Sequence, residues 1–89
     1  MTRYRIVLTA TGKRDLDRLP EKIAAAAIEF MFGPLAENPQ RGGKRLDPPL
    51  HPKYVARRGE YRVIYDIHGD VVEVEVVAIK HRRDAYRPR

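Results

Sequence analysis

The chain has 89 residues, with 18 Lys and Arg against 12 Asp and Glu, a formal net charge of +6 and no cysteine. That length fits one domain with a small core, the missing cysteines exclude disulfides and thiolate metal sites, and no apolar run approaches the roughly 20 residues of a membrane span. The basic residues crowd at 41–45, 57–62 and 80–89 while acids collect at 15–37 and 66–75, so a directed positive surface facing an anionic partner is expected.

The first ten residues, MTRYRIVLTA, are basic but carry no signal-peptide core, and a cytoplasmic protein without membrane attachment is expected. Tyr4 to Leu8 reads as a short strand of β-branched and aromatic residues. Thr9 or Thr11 can cap a first helix carrying Leu16 and Leu19, which stops at Pro20. Pro20 suits the first turn of a second helix, with Glu21 near its positive end. In that helix Ile23, Ala27, Phe30 and Met31 recur at helical spacing, as do Ile28, Phe32 and Leu35. Gly33-Pro34 should kink or end it, because Pro34 has no N–H for the ladder, and Asn38-Pro39 is the latest stop. The stretch QRGGKRLDPPLHPK has no core periodicity and reads as an irregular connection.

The C-terminal half reads as a meander. Two-residue hairpin loops at Arg58-Gly59 and Gly69-Asp70 set Ala56 opposite Tyr61 and Asp66 opposite Glu73. Alternation then puts Tyr54, Ala56, Tyr61, Val63, Tyr65, Ile67, Val72, Val74, Val76 and Ala78 on one apolar face, under the helices. The other face takes Arg57, Arg62 and His81 at one end and Asp66, Glu73 and Glu75 at the other, with Val77 and Ile79 between. The fold class is therefore α+β, an N-terminal strand and helical hairpin packed on one face of a small, mainly antiparallel sheet, forming a single domain over residues 1–89.

No phosphate loop, dinucleotide fingerprint, nucleophile elbow or HExxH helix occurs. The three histidines lack metal-ligand spacing, and neither a metal nor another cofactor is expected. His51 and His68 read as solvated. His81 lies among Lys80, Arg82 and Arg83, and neighbouring cations favour the neutral imidazole that can accept a proton. Arginines suit a phosphate because their planar forks stay charged and donate paired hydrogen bonds. Arg57, Arg62, His81, Arg82 and Tyr86 are thus candidates for phosphoryl transfer from RNA, against the plain alternative of a solvated basic strand end. Tyr86 can stack on a base, donate a proton, or simply pack the tail. Lys44, Arg45, Arg58 and Arg83 are candidates for RNA backbone contacts, and the Arg41 to Arg45 loop equally suits a solubilising role.

On the residues RRGEYRVIYDI followed by VVEVEVVAIKHRRDAYR, with an N-terminal strand and a helical hairpin ending in LAENP, the chain resembles the RelE/ParE superfamily of type II toxins, the RelE branch more closely. The resemblance implies a ribosome-dependent messenger-RNA endoribonuclease and a cognate RelB-like antitoxin that blocks its basic groove. It implies attack of the substrate 2′-hydroxyl on phosphorus without a metal. It maps the site onto Arg57, Arg62, His81 with Arg82, and Tyr86. Some relatives carry two lysines where this chain has Val55 and Arg57; arginine is a poor base, which leaves His81 as the proton acceptor. The same superfamily contains ParE-like toxins that bind and poison DNA gyrase without chemistry, the second reading; a binding module without activity is the third.

Overall fold

Alternating apolar residues in the C-terminal half build the sheet on which everything else rests. The computed structural model describes residues 3–46 and 53–81. The elements are β1 (Arg5–Leu8), α1 (Ala10–Arg18), α2 (Glu21–Phe30), a π-helical turn (Met31–Leu35), α3 (Pro39–Gly42), β2 (Lys44–Arg45), β3 (Tyr54–Arg58), β4 (Tyr61–His68) and β5 (Glu73–His81). The strand order is β1-β5-β4-β3-β2; β1 lies parallel to β5 and the other pairs are antiparallel.

The helices begin where local chemistry permits. The Thr9 hydroxyl accepts from the Gly12 N–H at 3.0 Å and caps α1. Pro20 caps α2 with no side-chain hydrogen bond, and Glu21 sits in its first turn. Pro34 does not end the helix. The chain widens into the π turn Met31–Leu35, which contains Pro34, and stays helical through Glu37. The two predicted apolar stripes fare differently: Ala27, Phe30 and Met31 of the first are buried, whereas the second splits, with Leu35 buried and Ile28 and Phe32 exposed.

The core lies between these helices and one face of the sheet, and the fully buried Val63, Tyr65, Val74 and Val76 form its floor. Each such aliphatic side chain contributes roughly 1.5–3 kcal/mol by leaving water. Tyr65 stacks on Tyr54 with ring centroids 5.6 Å apart, and its hydroxyl donates to the Pro39 carbonyl at 2.7 Å. Burial pushes the Tyr65 phenol up to about 12. At Gly43 an added Cβ would stand 2.6 Å from both the Tyr65 hydroxyl and the Val55 carbonyl oxygen. The connection read as irregular thus contains α3 and β2, and Gly43 lets it press against the core.

Three expectations of register are corrected. The β3–β4 loop is Gly59-Glu60, closed by Arg58 opposite Tyr61, and Gly59 carries the positive φ of +54 that a tight hairpin needs. The β4–β5 loop runs over 69–72, closed by His68 opposite Glu73. Both corrections move the pairing by two residues: Ala56 opposes Val63 and Asp66 opposes Glu75. A step of two keeps every side chain on its expected face. The third does not. Tyr65 pairs with Val76 but Ile64 pairs with Ala78, so Val77 is an extra, bulged residue. Beyond it the sides exchange. Ile79 is buried opposite Val63, Lys80 opposes Arg62, and His81 opposes the core residue Tyr61.

The Gly43 contact is expected to be intolerant. Gly43→Ala should lower stability by about 1–3 kcal/mol through overpacking. Tyr65→Phe should cost a similar amount, roughly 1–3 kcal/mol, by leaving the buried Pro39 carbonyl unpaired. Urea unfolding checks both.

Candidate functional site

The face of the sheet away from the helices is banded. Cross-strand partners share a side, so Arg57 on β3, Arg62 on β4 and Lys80 on β5 form one row of cations across three strands. Arg57 and Lys80 are exposed and Arg62 is half-buried. The neighbouring row is apolar: Val55, Ile64 and Ala78, flanked by Lys44, which pairs with Val55. Next come charges that neutralise one another. Lys53 lies 3.6 Å from Asp66, the Arg5 guanidinium donates to Glu73 at 2.9 Å, and the His68 ring lies 3.1 Å from Glu75. The acids expected at this end do share a face, and each lies beside a basic side chain, Lys53, Arg5 or His68.

The cationic row is different. Among the described residues, none of Arg57, Arg62 and Lys80 pairs with a carboxylate. Like charges directly opposite on neighbouring strands repel, at a cost of about 0.2–1 kcal/mol per pair. Beside the row, Arg41, Gly43, Lys44, Val55, Arg57 and Arg58 line a groove of about 410 Å³. An anionic ligand laid along this groove meets donors from both its wall and the row.

The sequence-derived candidates divide. Arg57 and Arg62 stand together, and Lys44 borders the groove. Arg45 pairs with Tyr54 and takes the opposite side at the sheet edge. Arg58 lies over the Phe30 ring at 4.3 Å and donates to the Arg57 and Gly42 carbonyls at 2.8 and 3.1 Å, so it clamps β3 to the helices. His81 does not join Arg62. The bulge turns it toward the helix-covered side, where its side chain is 15 % exposed and its Nε2 lies 3.9 Å from a Glu60 carboxylate oxygen. Arg82, Arg83 and Tyr86 lie outside the described residues, as does His51. Lys80 is the residue that sequence reasoning missed. The adjacent Val76-Val77, which interrupts the alternation of VEVEV, is the signal that could have exposed the bulge.

A small α+β protein with a mixed five-stranded sheet, helices on one face and a cationic row on the other is the class that fold and site define. The family described as ParE toxin of type II toxin-antitoxin system, parDE, matches residues 6–86. The chain is 52% identical over 84 residues to Toxin RelE of Mycobacterium tuberculosis, covering 94% of this chain and 87% of that protein. It is 43% identical over 84 residues to Toxin RelG of the same organism, covering 94% and 97%. Its structure matches a chain in the crystal structure of the toxin–antitoxin complex RelBE2 from Mycobacterium tuberculosis with a TM-score of 0.90 and 42% identity, covering 94% of this chain and 97% of that one. The chain belongs to the RelE/ParE family and is a toxin of the type II toxin–antitoxin class.

At the other end of the uncovered face, the hydrogen bond to Glu75 raises the His68 pKa, and the nearby carboxylates add to the effect. A raised folded-state value means that the proton stabilises the fold. This stabilisation is complete below the unfolded histidine value near 6.5 and fades as pH climbs through the higher folded value. The melting temperature of the wild type should therefore fall between pH 6 and pH 8, and His68→Gln should flatten that dependence.

Proposed function

We propose that this toxin is an endoribonuclease that cuts messenger RNA on the ribosome and is held inactive by an acidic, RelB-like antitoxin. The observation that carries the reading is the row of Arg57, Arg62 and Lys80, which no carboxylate among the described residues neutralises. Three fixed cations side by side destabilise the free protein and are relieved by a polyanion. In the cleavage reaction the 2′-hydroxyl attacks the adjacent phosphorus, the bond to the 5′-oxygen breaks, and a cyclic phosphate remains. Negative charge grows on the phosphoryl oxygens along that path. Guanidinium groups held on a rigid sheet stabilise it without having to reorganise.

The apolar strip Val55, Ile64 and Ala78 beside the row offers a floor for a base. Proton transfer needs a group that can change its charge, which a guanidinium hardly does. Within the row that group is Lys80, whose ammonium we assign as the proton donor to the departing 5′-oxygen, while the 2′-hydroxyl proton passes to water. His81, turned to the other side, is assigned no contact with the reacting phosphate. The relative in the RelBE2 structure is captured as a toxin–antitoxin complex, which supports a cognate antitoxin that covers the same cations. Charge complementarity makes an acidic, partly disordered segment the matching occupant. Messenger RNA and ribosomes place the action in the cytoplasm. Among the described residues no helix is long and apolar enough to cross a membrane.

The family match to ParE favours one competing reading, a toxin that binds DNA gyrase. Purified toxin added to ribosomes programmed with messenger RNA separates the two: cleavage is expected, and inhibited supercoiling with intact message would select the gyrase reading instead. Arg62→Ala should lower cleavage by about 100-fold or more while leaving thermal stability unchanged or slightly higher, because a repulsive pair is removed. Lys80→Met should reduce the cleavage step more than RNA binding, and His81→Ala should cost less than either. Wild-type cleavage by Arg62→Ala would refute the assignment.

A further inference from the structure

Strand β1 stops pairing with β5 at Val76, opposite Leu8, yet β5 continues to His81. From that point no strand among the described residues borders the outer edge of β5, and its backbone groups need other partners. Helix α1 supplies them. The Thr9 N–H donates to the Val76 carbonyl at 3.0 Å, and the Thr9 hydroxyl donates to the carbonyl of the bulged Val77 at 3.2 Å. Six residues beyond Thr9, within α1, the Asp15 carboxylate accepts from the Ile79 N–H at 3.0 Å. This contact falls on the first buried residue after the bulge and next to Lys80 in the chain. Asp15 thus stands where a continuing β1 would have donated or accepted, and it does so from a helix bound to the sheet.

We propose that Asp15 is a positioning residue for the cationic row: by accepting the Ile79 N–H it holds the end of β5 in the register that sets Lys80 beside Arg62. Val77 offers two competing arrangements. With the bulge in place, Ile79 enters the core and Lys80 faces the row. Without it, the alternation established over Glu73 to Val76 continues, and Ile79 and His81 take the outer side. Burial of Ile79 favours the bulge, but a strand end one residue from its last apolar anchor frays unless its free edge is tied. The carboxylate provides that tie with an ionised acceptor, which makes a stronger hydrogen bond than a neutral one. The placement of Lys80 is a statement about the fold. Its effect on turnover rests on the ribonuclease reading above.

Full-length toxin, with its antitoxin removed after purification, is compared as wild type, Asp15→Ala and Asp15→Asn. In Asp15→Ala the Ile79 amide should exchange with solvent roughly tenfold faster or more. The nuclear Overhauser contacts between Arg62 and Lys80 should weaken, and messenger-RNA cleavage should fall by about 100-fold, as expected for a displaced catalytic group. Asp15→Asn keeps a carbonyl acceptor in the same place and should restore the Ile79 protection, the Arg62–Lys80 contacts and most of the cleavage. A folded Asp15→Ala with intact contacts and wild-type cleavage overturns the proposal. So does lost cleavage with the Arg62–Lys80 contacts intact, because Asp15 would then act by another route. Should Asp15→Ala not fold, Asp15→Asn decides, and loss of the contacts in that folded variant is fatal. Wild-type toxin that cleaves no RNA would remove the ribonuclease reading alone, since the exchange and contact measurements test the position of Lys80 without it.

Discussion

A β-strand assigns its side chains to two sides in strict turn, and one inserted residue reverses the assignment for everything after it. In this protein that residue is Val77. Upstream of it, Glu73 and Glu75 face outward and Val74 and Val76 face the core; downstream, Ile79 faces the core and Lys80 faces outward. The sheet could not otherwise satisfy both halves of β5. A regular strand would have exposed Ile79 and driven a lysine under the helices. The bulge resolves that conflict, and in doing so it selects the third member of the cationic row.

Much of this was legible beforehand. Alternation in YRVIY and VEVEV was enough to find the core floor, since an error of two residues in each hairpin leaves the sides unchanged. Arg57 and Arg62 were placed together for the same reason. His81 was misplaced because the reading assumed a continuous strand, and a doubled valine carries little weight against a long regular pattern. At Pro34, where a kink or an end was expected, the helix is distorted without ending. A π turn absorbs a missing N–H by widening the helix, a solution fixed by the packing of Met31 and Leu35 rather than by local propensity. The short strand β2 was hidden because two exposed basic residues have no apolar signature; it forms because Gly43 allows close approach to β3.

The two ends of the uncovered face obey different rules. Around Asp66, Glu73, Glu75 and His68, each charge is met by a partner within the chain, and that end is electrically complete. Around Arg57, Arg62 and Lys80, no carboxylate among the described residues plays that part. A family in which a toxin is paired with an antitoxin gives the imbalance a purpose. On the ribonuclease reading proposed above, the same charge serves the substrate when the toxin is free and the antitoxin when it is bound. Arg58, although it is the immediate neighbour of Arg57, lies over Phe30 and belongs to the groove wall rather than to the row. Neighbours along a strand serve opposite sides of the sheet.

The parallel pairing of β1 with β5 has an effect on when the protein comes into being. Among the described residues, β1 finds its strand partner in β5, with Arg5 opposite Glu73 and Leu8 opposite Val76. Arg5 and Glu73 lie 68 positions apart, so a ribosome making this polypeptide releases β1 well before its partner, and that edge of the sheet stays open until β5 emerges. The core floor and the cationic row are then completed together, because both draw on β5.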